Sequence, residues 1–175
     1  MVGCCVARLL AGIPGVETTL VDTEPARAPT AEALGVGFAS PDDAPDGLDL
    51  VVHASATSAG LQRSLELLAP DGVVVDLSWY GDTPVRLDLG GAFHAGRLSV
   101  RASQVGEVAL ARRHRRSRSE RLALALELLR DDAFDVLLTG TTPFAELPTL
   151  MAELSAGSRS ALCHAISYPE VPCSA

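Results

Sequence analysis

Short runs of Val and Leu alternate along the chain with segments of helical period, and glycine or proline stands at most of the joins. No other feature of the sequence restricts the fold as strongly. A strand followed by a covering helix before the next strand builds parallel β-α units, whose strands are buried under helices on both faces. The spacing predicts a helix over residues 3–11 ended by the Pro14-Gly15 turn, a strand over 17–21 leading to Asp22, and a helix over 24–34 stopped by Gly35. Pro29 falls inside that helix and is expected to kink it or delay its start. Residues 48–53 form a continuous apolar run of the doubly buried kind, and 57–69 follow with Leu61, Leu65 and Leu68 on one helical stripe. Pro70-Asp71-Gly72 is expected to turn the chain into a strand over 73–77, and 98–102 supply another. Ser117 and Glu120 make an S-x-x-E capping box before a helix running to about Arg130. A strand over 134–138, a helix over 143–154 and a strand over 161–168 complete the pattern, with a loose tail after them.

The chain has 175 residues, enough for one domain of ordinary size. Hydrophobic residues make up 47% and charged ones 21%, and no apolar run approaches the roughly 18 to 20 residues that cross a membrane. Met1-Val2-Gly3-Cys4-Cys5 has none of the marks of a secretory leader, so the cytoplasm is the expected location and no membrane partner is expected. Cys4, Cys5, Cys163 and Cys173 lack metal or redox spacing and are expected to be unpaired. The formal net charge is −8, although six arginines crowd the stretch from Arg112 to Arg121. No aromatic side chain is interleaved there and the rest is acidic, so a solvated loop is expected and nucleic acid is not a partner.

Chemistry is suggested by an order of elements. A glycine, Gly3, opens a helix, and nineteen positions later an acid, Asp22, ends a strand. In dinucleotide-binding folds the last glycine of G-x-G-x-x-G lets the helix approach the sheet, and an acid about 20 residues on binds the adenosine ribose hydroxyls. Only that final glycine is present, and taken alone the pattern is as consistent with any helix-opening glycine and strand-ending acid. The four histidines, His53, His94, His114 and His164, are scattered and read as structural or surface groups. From Ser55 to Gly60 the first glycine of G-x-S-x-G is lacking, so a hydrolase nucleophile elbow is not expected.

Taken in order, several segments resemble the cofactor domain of zinc-type alcohol dehydrogenases in the medium-chain dehydrogenase/reductase superfamily. They are Val2-Gly3 with Cys5-Val6-Ala7-Arg8-Leu9-Leu10, Thr19-Leu20-Val21-Asp22, Ala33-Leu34-Gly35, the run from Leu48 to Ser55, the run from Leu65 to Gly72, and Phe93-His94 before Arg97-Leu98. The resemblance implies an α/β fold, a doubly wound Rossmann-like parallel sheet, within an oxidoreductase moving hydride between NAD and an alcohol or carbonyl. It implies a cofactor site of Gly3, Asp22, Arg27, Ala54, Ser55, Leu77, Ser78, Trp79, Ser103 and Gln104. Asp22 takes the place of the ribose-binding acid, which favours NAD over NADP by repelling a 2′-phosphate.

Departures from the resembled family shape the remaining expectations. The zinc ligands and proton relay of such enzymes belong to a preceding domain, so zinc is expected only there and no catalytic or metal-binding residue is expected here. The first, central strand and the first two motif glycines are also missing. The chain is thus expected to be a truncated cofactor domain over residues 1–160, with 161–175 a strand and tail that would return to the absent domain. Alone it is expected to be inactive and to bind NAD weakly or not at all. Its exposed sheet edges offer an alternative, a noncatalytic module that pairs as a homo-oligomer or with a separate catalytic chain.

Overall fold

A computed structural model of the chain describes residues 1–169. In order, it comprises α1 (Val2–Ala11), β1 (Thr19–Val21), α2 (Ala28–Ala33), β2 (Gly37–Ala39), β3 (Leu48–His53), α3 (Ser58–Glu66), β4 (Leu68–Asp76), α4 (Ala92–Ala95), β5 (Ser99–Ala102), α5 (Arg118–Leu128), β6 (Leu138–Pro143), α6 (Leu147–Ser155) and β7 (Cys163–Ser167). Every strand pair is parallel. The fold is α/β, a Rossmann-like doubly wound arrangement whose sheet is interrupted. Strands pair as β1-β2 and as β3-β4-β5, with β6-β7 apart. A complete sheet of this type runs 3-2-1-4-5-6. Removing its central strand leaves one pair and one triplet, which is the arrangement found here.

Helix α1 spans the interruption. A Cβ placed on Gly3 would lie 3.9 Å from the Ala54 Cβ, just past β3, and 4.0 Å from Leu20 Cδ1 on β1. Its other end is tied by Arg8, whose guanidinium bonds Asp131 at 2.7 and 2.8 Å and the Leu34 carbonyl at 3.3 Å. Two cores result. Around β1 and β2, Cys4, Ala7, Leu20, Ala31, Leu34, Phe134 and Leu137 pack together. Around β3 and β4, Leu61, Leu65 and Val74 form the second, bordered by Val51, Leu68, Tyr80, Val85, Leu87 and Phe93.

Several expectations are corrected. Residues 134–138 are not a strand: a 3-10 turn covers Asp132–Leu137, started by the Asp131 side chain accepting from the Ala133 amide, and buries Phe134 and Leu137. The strand begins only at Leu138. The helix over 57–69 ends at Glu66, and Pro70-Asp71-Gly72 lies inside β4 as an irregularity in its pairing with β3. There Asp71 takes φ 65 and pairs with Arg97, while a side chain at Gly72 would meet the Ala69 carbonyl at 2.8 Å. Strand β3 is not buried on both faces, since Leu50 is 45% exposed. The reason is its place at the interruption, where no ladder joins it to β1 among the described residues. Pro29 delays α2 to Ala28 behind a 3-10 turn over Pro25–Arg27, and the three-residue β2 went unforeseen. The capping box at Ser117 is present as expected, yet α5 buries no residue. Cys4, Cys5 and Cys163 are free thiols. Of the expected strand and tail over 161–175, β7 is described, whereas Cys173 and the rest of 170–175 lie outside the described residues.

Candidate functional site

The carboxyl ends of β3 and β4 carry a set of polar side chains that follows directly from strand geometry. His53 and Asp76 are register partners in the parallel pair, so their side chains share a face. Two residues beyond each, Ser55 and Ser78 add hydroxyls to the same end, and Tyr80 follows. His53 is 4% exposed, and its Nδ1 lies 3.0 Å from Asp76 Oδ1. Its Nε2 lies 2.8 Å from Ser55 Oγ. Asp76 Oδ1 also accepts from the Ser78 amide at 2.9 Å, and Oδ2 accepts from the Tyr80 hydroxyl at 3.0 Å. Ser78 Oγ and the Tyr80 hydroxyl sit 3.1 and 3.2 Å from His53 Nδ1, and the Ala56 amide donates to Ser78 Oγ at 3.1 Å. The Tyr80 and His53 rings stack with centroids 6.3 Å apart.

The direction of the hydrogen bonds can be deduced. Burial works against charge on Asp76, but bonds from His53, Ser78 and Tyr80 outweigh it and hold the carboxyl below its ordinary range. Burial, then the bond to Asp76, pushes the Tyr80 phenol up, so it remains a donor at neutral pH. An ionised carboxylate only accepts, which places the proton of a neutral His53 ring on Nδ1 and leaves Nε2 to accept from the Ser55 hydroxyl. Ser55 Oγ in turn lies 2.9 Å from Thr57 Oγ1, and Thr57, the N-cap of α3, accepts from the Gly60 amide at 3.0 Å. One chain of bonds therefore runs from α3 through Thr57, Ser55 and His53 to Asp76. Gly60 is required at its position, because a Cβ there would stand 2.3 Å from Ser55 Oγ.

The residues singled out from the sequence divide between the two lips of the interruption. On the β1 lip, Asp22 Oδ1 accepts from the Glu24 amide at 2.9 Å, which leaves its second oxygen available, and Arg27 is half-buried at the end of the following 3-10 turn. On the β3 lip, Ala54 approaches Gly3, and Ser55 and Ser78 meet through His53. The Leu77 amide donates to the His53 carbonyl, and the Ser103 amide donates to the Asp76 carbonyl, so both lie at strand ends. Gln104 begins the turn after β5, and Trp79 is 86% exposed. His53, Thr57, Asp76 and Tyr80 were missed. The available signal was polar residues at alternate positions, His53-x-Ser55 and Asp76-x-Ser78-x-Tyr80, closing two otherwise apolar runs. His164, by contrast, bonds Thr142 at 2.9 Å between β6 and β7.

Among the described residues, no group of three or more His, Cys, Asp and Glu is placed to hold a metal ion. No described helix is long and apolar enough to cross a membrane. Within the arginine stretch, Arg118 bonds Glu107 and Arg121 bonds the carbonyls of Val105 and Glu107.

No family model matches the chain, and no curated protein matches it. Solved structures do. L-idonate 5-dehydrogenase from Escherichia coli aligns with a TM-score of 0.73 at 16% identity over 94% of this chain and 46% of its own. Benzyl alcohol dehydrogenase from Acinetobacter calcoaceticus gives 0.73 at 14% over 96% and 47%. An alcohol dehydrogenase from E. coli, solved with NADH, gives 0.69 at 15% over 94% and 48%. The chain thus has the fold of about half of such dehydrogenase chains and spans about half their length.

Proposed function

We propose that the chain is the cofactor-binding part of a zinc-type alcohol dehydrogenase-like oxidoreductase, which in its full form moves hydride between NAD and an alcohol or carbonyl. The observation carrying this reading is the interrupted sheet: Gly3 opens α1 between the ends of β1 and β3, at the point where strand order reverses. Crevices at such switch points are where parallel sheets of this type bind ligands. The residues present fit one half of a dinucleotide. Asp22 keeps a free carboxylate oxygen for the ribose diol, Arg27 lies close by in sequence, and Ala54, Ser55, Leu77, Ser78, Trp79, Ser103 and Gln104 cluster at the strand ends opposite. The described residues do not fit zinc.

Calorimetric titration tests the reading. Weak binding of NAD in preference to NADP is expected, and Asp22→Ala lowers NAD affinity by about tenfold or more, the loss expected for hydrogen bonds to a charged acceptor. Equal binding of the two dinucleotides, unchanged by that substitution, overturns it. A second reading, pairing through the sheet edges, is favoured by Val21 and Leu50, which stand exposed on the strands flanking the interruption. A defined oligomer in light scattering, formed without cofactor and lost on Leu50→Lys, would support it.

A further inference from the structure

The dinucleotide reading leaves unexplained why a buried imidazole sits between a carboxylate and an exposed hydroxyl. A structural histidine needs only satisfied nitrogens. Here Nδ1 faces an ionised carboxylate at 3.0 Å and Nε2 a serine hydroxyl at 2.8 Å, while Ser55 itself is exposed. Nucleophilic catalysis uses this order of groups: a carboxylate fixes the tautomer, the imidazole accepts the hydroxyl proton, and the oxygen attacks. Ala56, directly after Ser55, is held at φ 54, a conformation unusual for alanine. The first turn of α3 lies against the serine, since the Cβ position of Gly60 is 2.3 Å from Ser55 Oγ. The positive end of a nine-residue helix therefore stands next to Ser55 Oγ, where it favours the oxygen as it gives up its proton.

We propose that Ser55, His53 and Asp76 act as nucleophile, general base and positioning carboxylate in the hydrolysis of small acyl esters at the end of β3. Ser55 Oγ attacks the ester carbonyl carbon as its proton passes to His53 Nε2. That proton then goes to the departing alkoxide, the ester C–O bond breaks, and an acyl-serine remains. Water adds to the acyl carbon, giving its proton to Nε2. The bond to Ser55 Oγ breaks, the proton returns to Ser55, and a carboxylic acid leaves. Ester and water become acid and alcohol, with no other reactant. Asp76 holds Nδ1–H throughout, and Thr57 steadies the Ser55 hydroxyl by donating to it. The reaction does not depend on nicotinamide binding.

The test is covalent labelling of the full chain with an alkyl fluorophosphonate, followed by intact mass measurement and peptide mapping. One adduct on Ser55 is expected, absent in Ser55→Ala and formed at least about 10²-fold more slowly in His53→Gln, the effect of removing a general base. The labelling rate should follow a one-proton pH dependence, and p-nitrophenyl acetate should release an initial burst of one p-nitrophenolate per chain. Labelling distributed over Ser58, Ser64 and Ser78 at rates similar to Ser55 overturns the proposal, as does an unchanged rate in His53→Gln. If circular dichroism shows that His53→Gln does not fold, the pH dependence of the unmodified chain decides, and a flat profile overturns it.

Discussion

On the β1-β2 side of the interruption, the core gathers residues from distant parts of the chain, Cys4 and Ala7 from α1, Leu34 after α2, and Phe134 and Leu137 from the 3-10 turn. On the β3-β5 side, Leu61, Leu65 and Val74 come from one helix and the strand that follows it. The first core exists only when nearly all of the chain has closed, whereas the buried members of the second come from α3 and β4, and the residues bordering it all lie between Val51 and Phe93. Two regions of similar architecture therefore differ in how local their contacts are, and the site rich in polar chemistry lies on the locally built side. A rigid local unit is the better place for hydrogen bonds that must hold near 3 Å.

The largest effects belong to the largest fully buried side chains, Leu34 and Val74. Leu34→Ala should cost about 2 to 5 kcal/mol in urea unfolding, and Val74→Ala about 2 kcal/mol. If the sides are separate units, hydrogen exchange in Leu34→Ala should lose protection in α1, β1 and β2 while β3 to β5 keep theirs. Simultaneous loss everywhere would make them one unit. Next in size is Gly60→Ala. The added methyl displaces Ser55 from His53 at a cost of about 1 to 3 kcal/mol, and the reactivity of Ser55 should fall far more than the stability does.

Acid sharpens the contrast further. Asp76 is held low on the local side as described, and Asp131 on the other, first by the Ala133 amide and then by Arg8. A depressed folded value means stability present above the unfolded carboxyl value of about 3.9 and lost as pH falls through the folded one. Unfolding midpoints should therefore drop as pH falls below about 4, and Asp131→Asn or Asp76→Asn should each flatten that dependence. The smallest effect belongs to Gly3→Ala. The new methyl meets only ordinary contacts and α1 gains a better helix former, so stability should rise by up to about 1 kcal/mol in thermal unfolding.

Where local chemistry decides structure, the sequence was readable. The Ser117-x-x-Glu120 box, the stop at Gly35 and the order of strand, helix and strand through β3, α3 and β4 follow propensity and period, although the junction of α3 with β4 does not. Where long-range packing decides, it was not. Phe134 looks like a strand residue by composition, but Asp131 turns the backbone and the ring is needed in a core whose other members lie at the opposite end of the chain. The interruption was legible as an absent strand, though its effect on Leu50 was not, since burial depends on the neighbour rather than the residue. The relay at His53 was hidden for the same reason: its register with Asp76, 23 positions away, belongs to the pairing of two strands. Each half of the pattern looks like an ordinary strand end.

The clasp between Arg8 and Asp131 also has a bearing on synthesis. The two residues are 123 positions apart, so α1 leaves the ribosome well before its anchor exists. At roughly 5 to 20 residues per second, the wait lasts on the order of 6 to 25 s. During that interval Cys4, Ala7 and Leu20 have no Phe134 or Leu137 to cover them, while the β3-α3-β4 unit can already close. Exposure to chaperones and to misassociation therefore lasts longest along α1, and only the arrival of the 3-10 turn ends it.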